Sequence, residues 1–442
     1  MTLRRSLTAF GLAAAFAAPL GAQAFNLRDL LTEFLREGIT LAPPAPPFPS
    51  HEAHFIAADS PQFQAVQQFS AALANELSAF PIASSAGGFT YRFDPALGVF
   101  TRSADSFGPV YAERAETIGK GKFNMGVNFS HFSFDHINNL SLRDGDVRLV
   151  FTHQDVNNDH SDLSPFFEGD VITAQLFLKI ETDITAFVVS YGVTDRLDLG
   201  IAVPLVHVDL QAQTDATIQR IATSASAPDI HRFVNGTSSE TFRQSGSASG
   251  VGDVLLRGKF QILRGDRGGL AIAEDLRLPT GEERDLLGTG ATQAKTFVIG
   301  SLHVGPFSPH LNAGYTWSSN TNDDTDIPDE ISYTAGFDWA VSPRMTFAAD
   351  VLGRDRLKSR VVRVVDTTFE ANTSPGGPPT IVTATFPRLV SEEGDSNALL
   401  GSVGFKINPF GNFLITINGL FSLNHKGLQD DFAPLVAVDY SF

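Results

Sequence analysis

Residues 433–442, with the sequence APLVAVDYSF, alternate between apolar and smaller or polar side chains. Successive side chains of a β-strand point to opposite faces, so alternate residues share a face. One face of this segment carries only apolar or aromatic side chains: Val436, Val438, Tyr440 and Phe442. The alternation predicts a strand with one apolar face that ends at the terminal Phe442.

The same period of two recurs throughout residues 117–442. Phe413, Ile415 and Ile417, for example, alternate with Thr416 and Asn418. The pattern predicts twelve strands, and a hairpin at 89–102 would raise the number to fourteen if it joined the sheet. The strands are expected at 119–134, 171–191, 197–210, 250–263, 269–279, 295–304, 309–318, 330–341, 345–354, 397–408, 412–423 and 433–442.

The connections between these strands alternate between short and long. Short ones include 194–196 and 342–344, whereas long ones are expected at 135–170, 211–249, 280–294, 318–329 and 355–396. Outer-membrane barrels have tight periplasmic turns, long outer loops and tilted strands of about 10 residues. A soluble sandwich also alternates, but it does not explain this asymmetry. We therefore predict an all-β, transmembrane, antiparallel up-and-down β-barrel.

The amino-acid composition excludes several classes of function. The chain has 442 residues, 32 Lys and Arg against 49 Asp and Glu, a formal net charge of −17, and no Cys. Nucleic acid is an unsuitable partner because phosphate binding needs a basic surface. The absence of Cys excludes thiolate catalysis and Cys-based metal sites.

Residues 1–24 have the pattern of a cleaved signal peptide. Arg4 and Arg5 precede the apolar run 7–18, and the small residues Ala22 and Ala24 mark a cleavage site before Phe25. The arginine pair could also be a twin-arginine signal, although an ordinary basic region suffices. The C-terminal face (Val436, Val438, Tyr440, Phe442) resembles the signal that the outer-membrane barrel assembly machinery reads. Export to the outer membrane of a Gram-negative cell is expected, in contact with lipid and lipopolysaccharide.

Residues 25–116 differ from the barrel region 117–442. Amphipathic helices are expected at 27–37 and 61–79, with a Pro-rich linker at 42–47 between them and the hairpin 89–102 after them. This segment is predicted either to plug the barrel lumen or to extend into the periplasm. A barrel of about twelve strands is narrower than the aqueous porins, which favours the plug.

Charged residues on the faces opposite the apolar ones are candidates for lining the lumen. Their signs balance, which favours paired charges across a narrow lumen over a single-sign selectivity ring. The candidates are Lys122, Lys179, Glu181, Asp183, Asp253, Arg257, Lys259, Asp275, Arg277, Asp338, Asp350, Arg354, Lys406 and Asp439.

No constellation predicts an enzyme, a metal or a cofactor. Residues 155–159 begin like a calcium loop, but His160 replaces the required Gly and Phe166 the bidentate Glu. The His spacings match no known ligand set. Ser130 and His131 are adjacent, so a strand points them to opposite faces, which argues against a lipase-type pair.

Several strand ends and turns resemble a known family over residues 85–442. They are Gly250-Val251-Gly252-Asp253, Leu278-Pro279-Thr280-Gly281, Leu311-Asn312-Ala313-Gly314-Tyr315, Tyr191 to Asp198, and Gly87 to Arg114. The family is an outer-membrane transporter family linked to the meta-pathway of phenol degradation, similar in outline to fatty acid and aromatic hydrocarbon channels. The resemblance implies passive uptake of small hydrophobic or aromatic solutes. An outer-membrane lipid hydrolase and a sealed structural or adhesive barrel remain the alternatives.

Overall fold

The computed structural model describes residues 26–43, 55, 61–77, 84, 88–94, 99–153, 169–221, 231–321, 327–372, 378 and 380–442. The predicted signal peptide, most of the Pro-rich linker and the acidic stretches at 155–159 and 323–326 lie outside these ranges. Within them, none of the helices has the length and apolar character needed to cross a bilayer.

The described part of the chain is mostly strand. The α-helices with described bounds are α1 (Leu27–Glu33), which continues as a π-helical turn Phe34–Gly38, and α2 (Pro61–Leu77), and a 3₁₀ helix spans Glu283–Asp285. The strands are β1 (Tyr91–Asp94), β2 (Val99–Arg102), β3 (Phe123–Phe134), β4 (His136–Ile137), β5 (Leu140–Ser141), β6 (Val147–Thr152), β7 (Val171–Gly192), β8 (Leu197–Gln219), β9 (Ser239–Val251), β10 (Val254–Gly265), β11 (Gly268–Leu278), β12 (Gln293–Leu302), β13 (Phe307–Ser318), β14 (Glu330–Ser342), β15 (Met345–Asn372), β16 (Ile381–Ile407), β17 (Phe413–Ser422), β18 (Leu428–Gln429) and β19 (Phe432–Ser441).

Twelve antiparallel strands close into a barrel. The wall runs β7-β3-β19-β17-β16-β15-β14-β13-β12-β11-β10-β8, and β8 pairs back with β7. The C-terminal strand pairs with the first wall strand, Ser441 opposite Asn124, so the chain closes its own barrel. Strands β6 and β9 are additional and extend the sheet beside β7 and β8. Because β1 and β2 form a separate sheet, the prediction of twelve wall strands is confirmed.

The outer face of the wall is an apolar belt. Val436, Val438, Tyr440 and Phe442 are all exposed on it, as the alternation predicted, and so are Met125, Phe129, Phe187, Leu199, Ile201, Val298, Leu311, Val403 and Ile417. A continuous exposed apolar surface of this kind is stable against lipid rather than water. Glu274 also points outward, and it accepts a hydrogen bond from Thr296 Oγ1 at 2.7 Å. Thr296 pairs with Tyr315, whose hydroxyl bonds Asp329 just before β14, so Glu274 lies towards the long-loop end of the belt.

The long connections predicted at 211–249 and 355–396 are shorter than expected, because the strands continue into them. Strands β7 and β8 continue together to the pair Val171–Gln219, and β15 and β16 continue to the pair Asn372–Ile381. In these extensions the polarity of the two faces reverses. The inward residues become apolar, such as Leu178, Leu210 and Val362, while the outward ones become polar. The extensions therefore stand beyond the lipid, where water surrounds the barrel and an apolar core fills it.

The N-terminal helices contribute to that core. Every residue of the two predicted apolar stripes is buried: Leu27, Leu30, Leu31, Phe34 and Leu35 on the first helix, and Phe63, Val66, Phe69, Leu73 and Leu77 on the second. They join one cluster with Leu178, Leu210, Val362 and Leu389 of the strand extensions. Arg28 pairs with Glu283 and Glu76 pairs with Arg356. Both helices therefore contact the long-loop end of the barrel.

Candidate functional site

An irregular stretch of chain occupies the lumen. Every residue from Ser106 to Gly119 is buried, yet the stretch forms neither helix nor strand. We call residues 103–119 the lumen segment. Irregular backbone at membrane depth is tolerated only inside protein or beside a polar cavity, because its N–H and C=O groups need partners.

The barrel wall supplies these partners through inward-facing side chains. Thr346 Oγ1 accepts from Phe107 N at 2.8 Å, Ser301 Oγ from Ala115 N at 2.9 Å, and Asp198 Oδ2 from Ile118 N at 3.0 Å. Asn312 makes two bonds to one residue: its Oδ1 accepts from Glu113 N at 2.7 Å, and its Nδ2 donates to Glu113 O at 3.0 Å. Small polar residues on four different strands thus hold the segment in place.

Glu113 is the centre of a buried ion network. Its carboxylate lies 2.5 Å from Arg257 Nη1 and 3.6 Å from Lys259 Nζ. Arg257 also makes two bonds of 2.5 Å to Asp275, and Lys259 lies 3.7 Å from Asp198. The charges on β10 are therefore neutralised partly by the wall and partly by the lumen segment. Buried charges require such partners.

A second network surrounds Arg114. Its Nη2 lies 3.7 Å from Asp338 and donates to the Ser106 carbonyl at 2.9 Å. His310 bridges the wall behind it, 3.4 Å from Asp338 and 2.6 Å from Asp350. The two networks have opposite polarity, because the segment presents an anion to β10 and a cation to β14.

The segment is anchored at the short-turn end as well. His303 follows β12, and its Nε2 lies 2.9 Å from Glu116 Oε1. Burial alone would raise the pKa of Glu116, but the hydrogen bond and charge of His303, together with the charge of Arg114, hold the pKa below its ordinary value of 4.5. Glu116 is therefore held in its ionised form.

A cavity of about 170 Å³ lies between the segment and the wall. Tyr111 and Glu113 line it from the segment side, and the aromatic ring of Phe297 lines it from the wall. Charged side chains complete the lining: Arg257, Asp275, Arg277, Lys295, Glu330, Arg354 and Arg356. Lys295 Nζ lies 5.1 Å from the centre of the Phe297 ring, within range of a cation–π interaction.

Most of the predicted lumen residues point inward. Arg257, Lys259 and Asp275 meet around Glu113; Asp338 and Asp350 meet around His310; Arg277 and Arg354 line the cavity; and Lys122, Lys406 and Asp439 lie on inward faces towards the short-turn end. Whether any of them contacts a passing solute stays a prediction.

Four of the predicted residues have a different position. Lys179, Glu181 and Asp183 lie on the outer face of β7, where Lys179 pairs with Glu181 at 2.9 Å and Asp183 with His131 at 2.8 Å. The prediction failed because polar residues face outward in the strand extension. Asp253 is buried in a loop rather than open to the lumen.

Asp253 joins two of the motifs that carried the family resemblance. Its carboxylate accepts from Gly281 N at 3.1 Å and from Thr289 N and Oγ1, both at 2.8 Å. Thr280 Oγ1 donates to the Gly252 carbonyl at 2.8 Å. The Gly-Val-Gly-Asp and Leu-Pro-Thr-Gly motifs therefore fold the loop 279–292 against the start of β10. Asn312, from the third motif, holds Glu113.

Comparison with known families agrees with these features. Residues 166–353 match the family model described as "Putative MetA-pathway of phenol degradation". The predicted family resemblance is confirmed. The matched span contains Arg257, Lys259, Asn312 and Asp338, which are among the wall positions that hold the lumen segment. No curated protein matches the chain.

Solved structures similar to this chain are outer-membrane barrels. An outer membrane channel from Pseudomonas putida F1 is 14% identical, with a TM-score of 0.41, covering 74% of this chain and 98% of its own. A FadL homologue from Pseudomonas aeruginosa is 13% identical, with a TM-score of 0.32 and coverage of 83% and 99%. The toluene transporter TbuX of Ralstonia pickettii is 11% identical, with a TM-score of 0.27 and coverage of 73% and 90%.

The sequence reasoning did not single out Glu113, Arg114 or His310. Residues 106–118 show no strand or helix period, so neither face of the segment could be assigned. The charges at Glu113, Arg114 and Glu116 within this otherwise mostly apolar and small-residue stretch were the available signal.

Proposed function

We propose that the protein is an outer-membrane channel for passive uptake of small aromatic or hydrophobic solutes, with residues 25–116 acting as its plug. The short-turn end then faces the periplasm, and the C-terminal strand with Phe442 serves as the assembly signal. The apolar belt supports the membrane location, since it needs lipid around it.

The cavity beside the lumen segment carries the proposal. Its volume of about 170 Å³ is large enough for a single aromatic ring, since an engineered apolar cavity of about 150 Å³ binds benzene. The charged lining of this cavity differs from that apolar one and favours a ring that carries a polar group. Tyr111 and Phe297 can contact an aromatic ring, while Lys295 and Arg277 can contact a polar substituent. A single-ring compound with one polar group, such as a phenol, fits both features. The family's link to phenol degradation points the same way.

The enzyme alternative has less support from the positions of its candidate residues. His131 contacts Asp183 on the outer face of β7, whereas its neighbour Ser130 lies opposite Leu435 on the inner face. A Ser–His pair at this position would require both side chains on one face.

Solute uptake into liposomes tests the proposal. Vesicles that contain the purified protein should accumulate radiolabelled phenol faster than empty vesicles, after subtraction of diffusion through lipid. The double variant Ala115→Cys with Ser301→Cys places two thiols on neighbouring residues, because Ala115 N donates to Ser301 Oγ at 2.9 Å. Because the chain has no other Cys, oxidation should lock the segment and stop uptake, and reduction should restore it. Equal uptake with and without the protein would overturn the proposal.

A further inference from the structure

The outer loops carry a cluster of two imidazoles and a carboxylate that the channel function does not use. The ligand atoms of His136, His425 and Asp431 all lie within 4.8 Å of one another. The rings of His136 and His425 are 4.4 Å apart between centroids. His136 lies on β4, after the first wall strand, and the other two lie in the connection before the last wall strand.

The spacing suits a metal ion. Two ligands on bonds of about 2.0–2.2 Å at tetrahedral angles lie roughly 3.4 Å apart. His136 Nδ1 is 3.5 Å from Asp431 Oδ1, too far for a good hydrogen bond but close to that edge length. The Nδ1 atom is screened from solvent and makes no hydrogen bond within the described residues.

The neighbouring acidic groups are already engaged. Asp135 pairs with Arg143 at 2.7 Å. Asp430 accepts from Ser133 N at 2.6 Å and from Phe432 N at 2.8 Å. The Asp431 carboxylate therefore remains the anion that faces the two imidazoles.

We propose that His136, His425 and Asp431 bind a divalent transition metal ion of the Zn²⁺ class, with water at the fourth position. Two nitrogen ligands and one carboxylate select such an ion over Ca²⁺ or Mg²⁺, which prefer oxygen. The ion would link the loop after β3, which carries His136, to the loop before β19, which carries His425 and Asp431. Strands β4 and β18 already pair there, Gln429 opposite His136, so the ion would reinforce an existing contact.

Isothermal titration of the full-length protein in detergent with ZnCl₂, after removal of any histidine tag, tests this proposal. One equivalent should bind, and His136→Ala, His425→Ala or Asp431→Asn should each weaken binding at least about tenfold, since even outer-shell changes cost 10–100-fold. His207→Ala is the matched control, because His207 also contacts a carboxylate, Asp209 at 3.0 Å, but belongs to no such cluster among the residues that the structure describes.

Two further readouts separate specific binding from surface adsorption. Co²⁺ should give the visible absorption of a tetrahedral site in the wild type and not in the double variant His136→Ala with His425→Ala. EDTA should increase protease cleavage in the connection 423–431 of the wild type alone. If the double variant binds Zn²⁺ as tightly as the wild type, the proposal is wrong.

Discussion

Glu113 in the lumen segment lies 2.5 Å from Arg257 on β10, and both side chains are withdrawn from solvent. The pair joins the N-terminal region to the barrel wall at the lining of the cavity. The conductance expected of the channel depends on whether buried ion pairs such as this one keep the lumen segment in place.

Loss of the Glu113 carboxylate should loosen the segment. Removal of one partner of a buried pair costs about 3–5 kcal/mol when the other charge is left without a partner. The cost here should be smaller, because Arg257 keeps its two bonds to Asp275 and Lys259 stays near Asp198. We expect Glu113→Gln to raise single-channel conductance while the barrel stays folded. The control is Glu392→Gln, which removes an exposed pair with Arg363 on the β15–β16 extension and should leave conductance unchanged. Equal effects of the two substitutions would contradict the role of Glu113.

A side chain at Gly108 should displace Arg114. Gly108 has φ +79°, and an added Cβ would lie 2.4 Å from Arg114 Nε. Gly121 has φ +74° but no atom within 4 Å of the added Cβ, so it isolates the backbone cost of roughly 1–2 kcal/mol. Gly108→Ala should raise conductance and Gly121→Ala should not. Conductance that rises equally in both would mean that backbone strain alone is responsible.

Helix α2 should detach without unfolding the barrel when its apolar face is weakened. Leu73 is buried in the core at the long-loop end, and Leu→Ala in a core costs about 2–5 kcal/mol. Leu73→Ala should therefore speed proteolysis of residues 61–77, with the heat-modifiable migration of the barrel on gels retained. Gln67→Ala, on the exposed side of the same helix, is the control. Loss of heat-modifiability would show that the helix is needed by the barrel itself.

Acid should release the short-turn end of the segment. The pKa of Glu116 is lowered in the folded protein, so this carboxylate stabilises docking at pH values above its ordinary pKa of 4.5. That stabilisation is lost as the pH falls through the lowered pKa. Conductance should therefore rise as the pH is lowered below about 4.5, and Glu116→Gln should lack this part of the pH dependence. If Glu116→Gln shows the same rise in conductance at low pH as the wild type, groups other than Glu116 cause that rise.

Much of the fold follows from local pattern. The period of two at residues such as Val436, Val438 and Tyr440 predicts which face contacts lipid. The even number of strands places both ends of the barrel on the same side of the membrane. The apolar stripes of both helices were equally readable, since every stripe residue between Leu27 and Leu35 and between Phe63 and Leu77 is buried as expected.

The strand extensions could not be read in the same way. A strand that leaves the membrane keeps its period, but the polar face changes from the inside to the outside. At Asp183 and Glu181 the period alone is consistent with a side chain that faces the lumen and with one that faces outward. Only the apolar core inside the extension shows that they face outward. The positions of Glu113, Arg114 and His310 depend on contacts between distant parts of the chain, and no local pattern encodes them.

Single-channel conductance in planar bilayers, comparing the full-length protein with a variant that lacks residues 25–116, tests the central claim most directly. If the lumen segment and the helices close the barrel, the full-length protein should conduct weakly and the deletion should conduct strongly. Near-zero conductance in both would contradict the account and favour a sealed barrel.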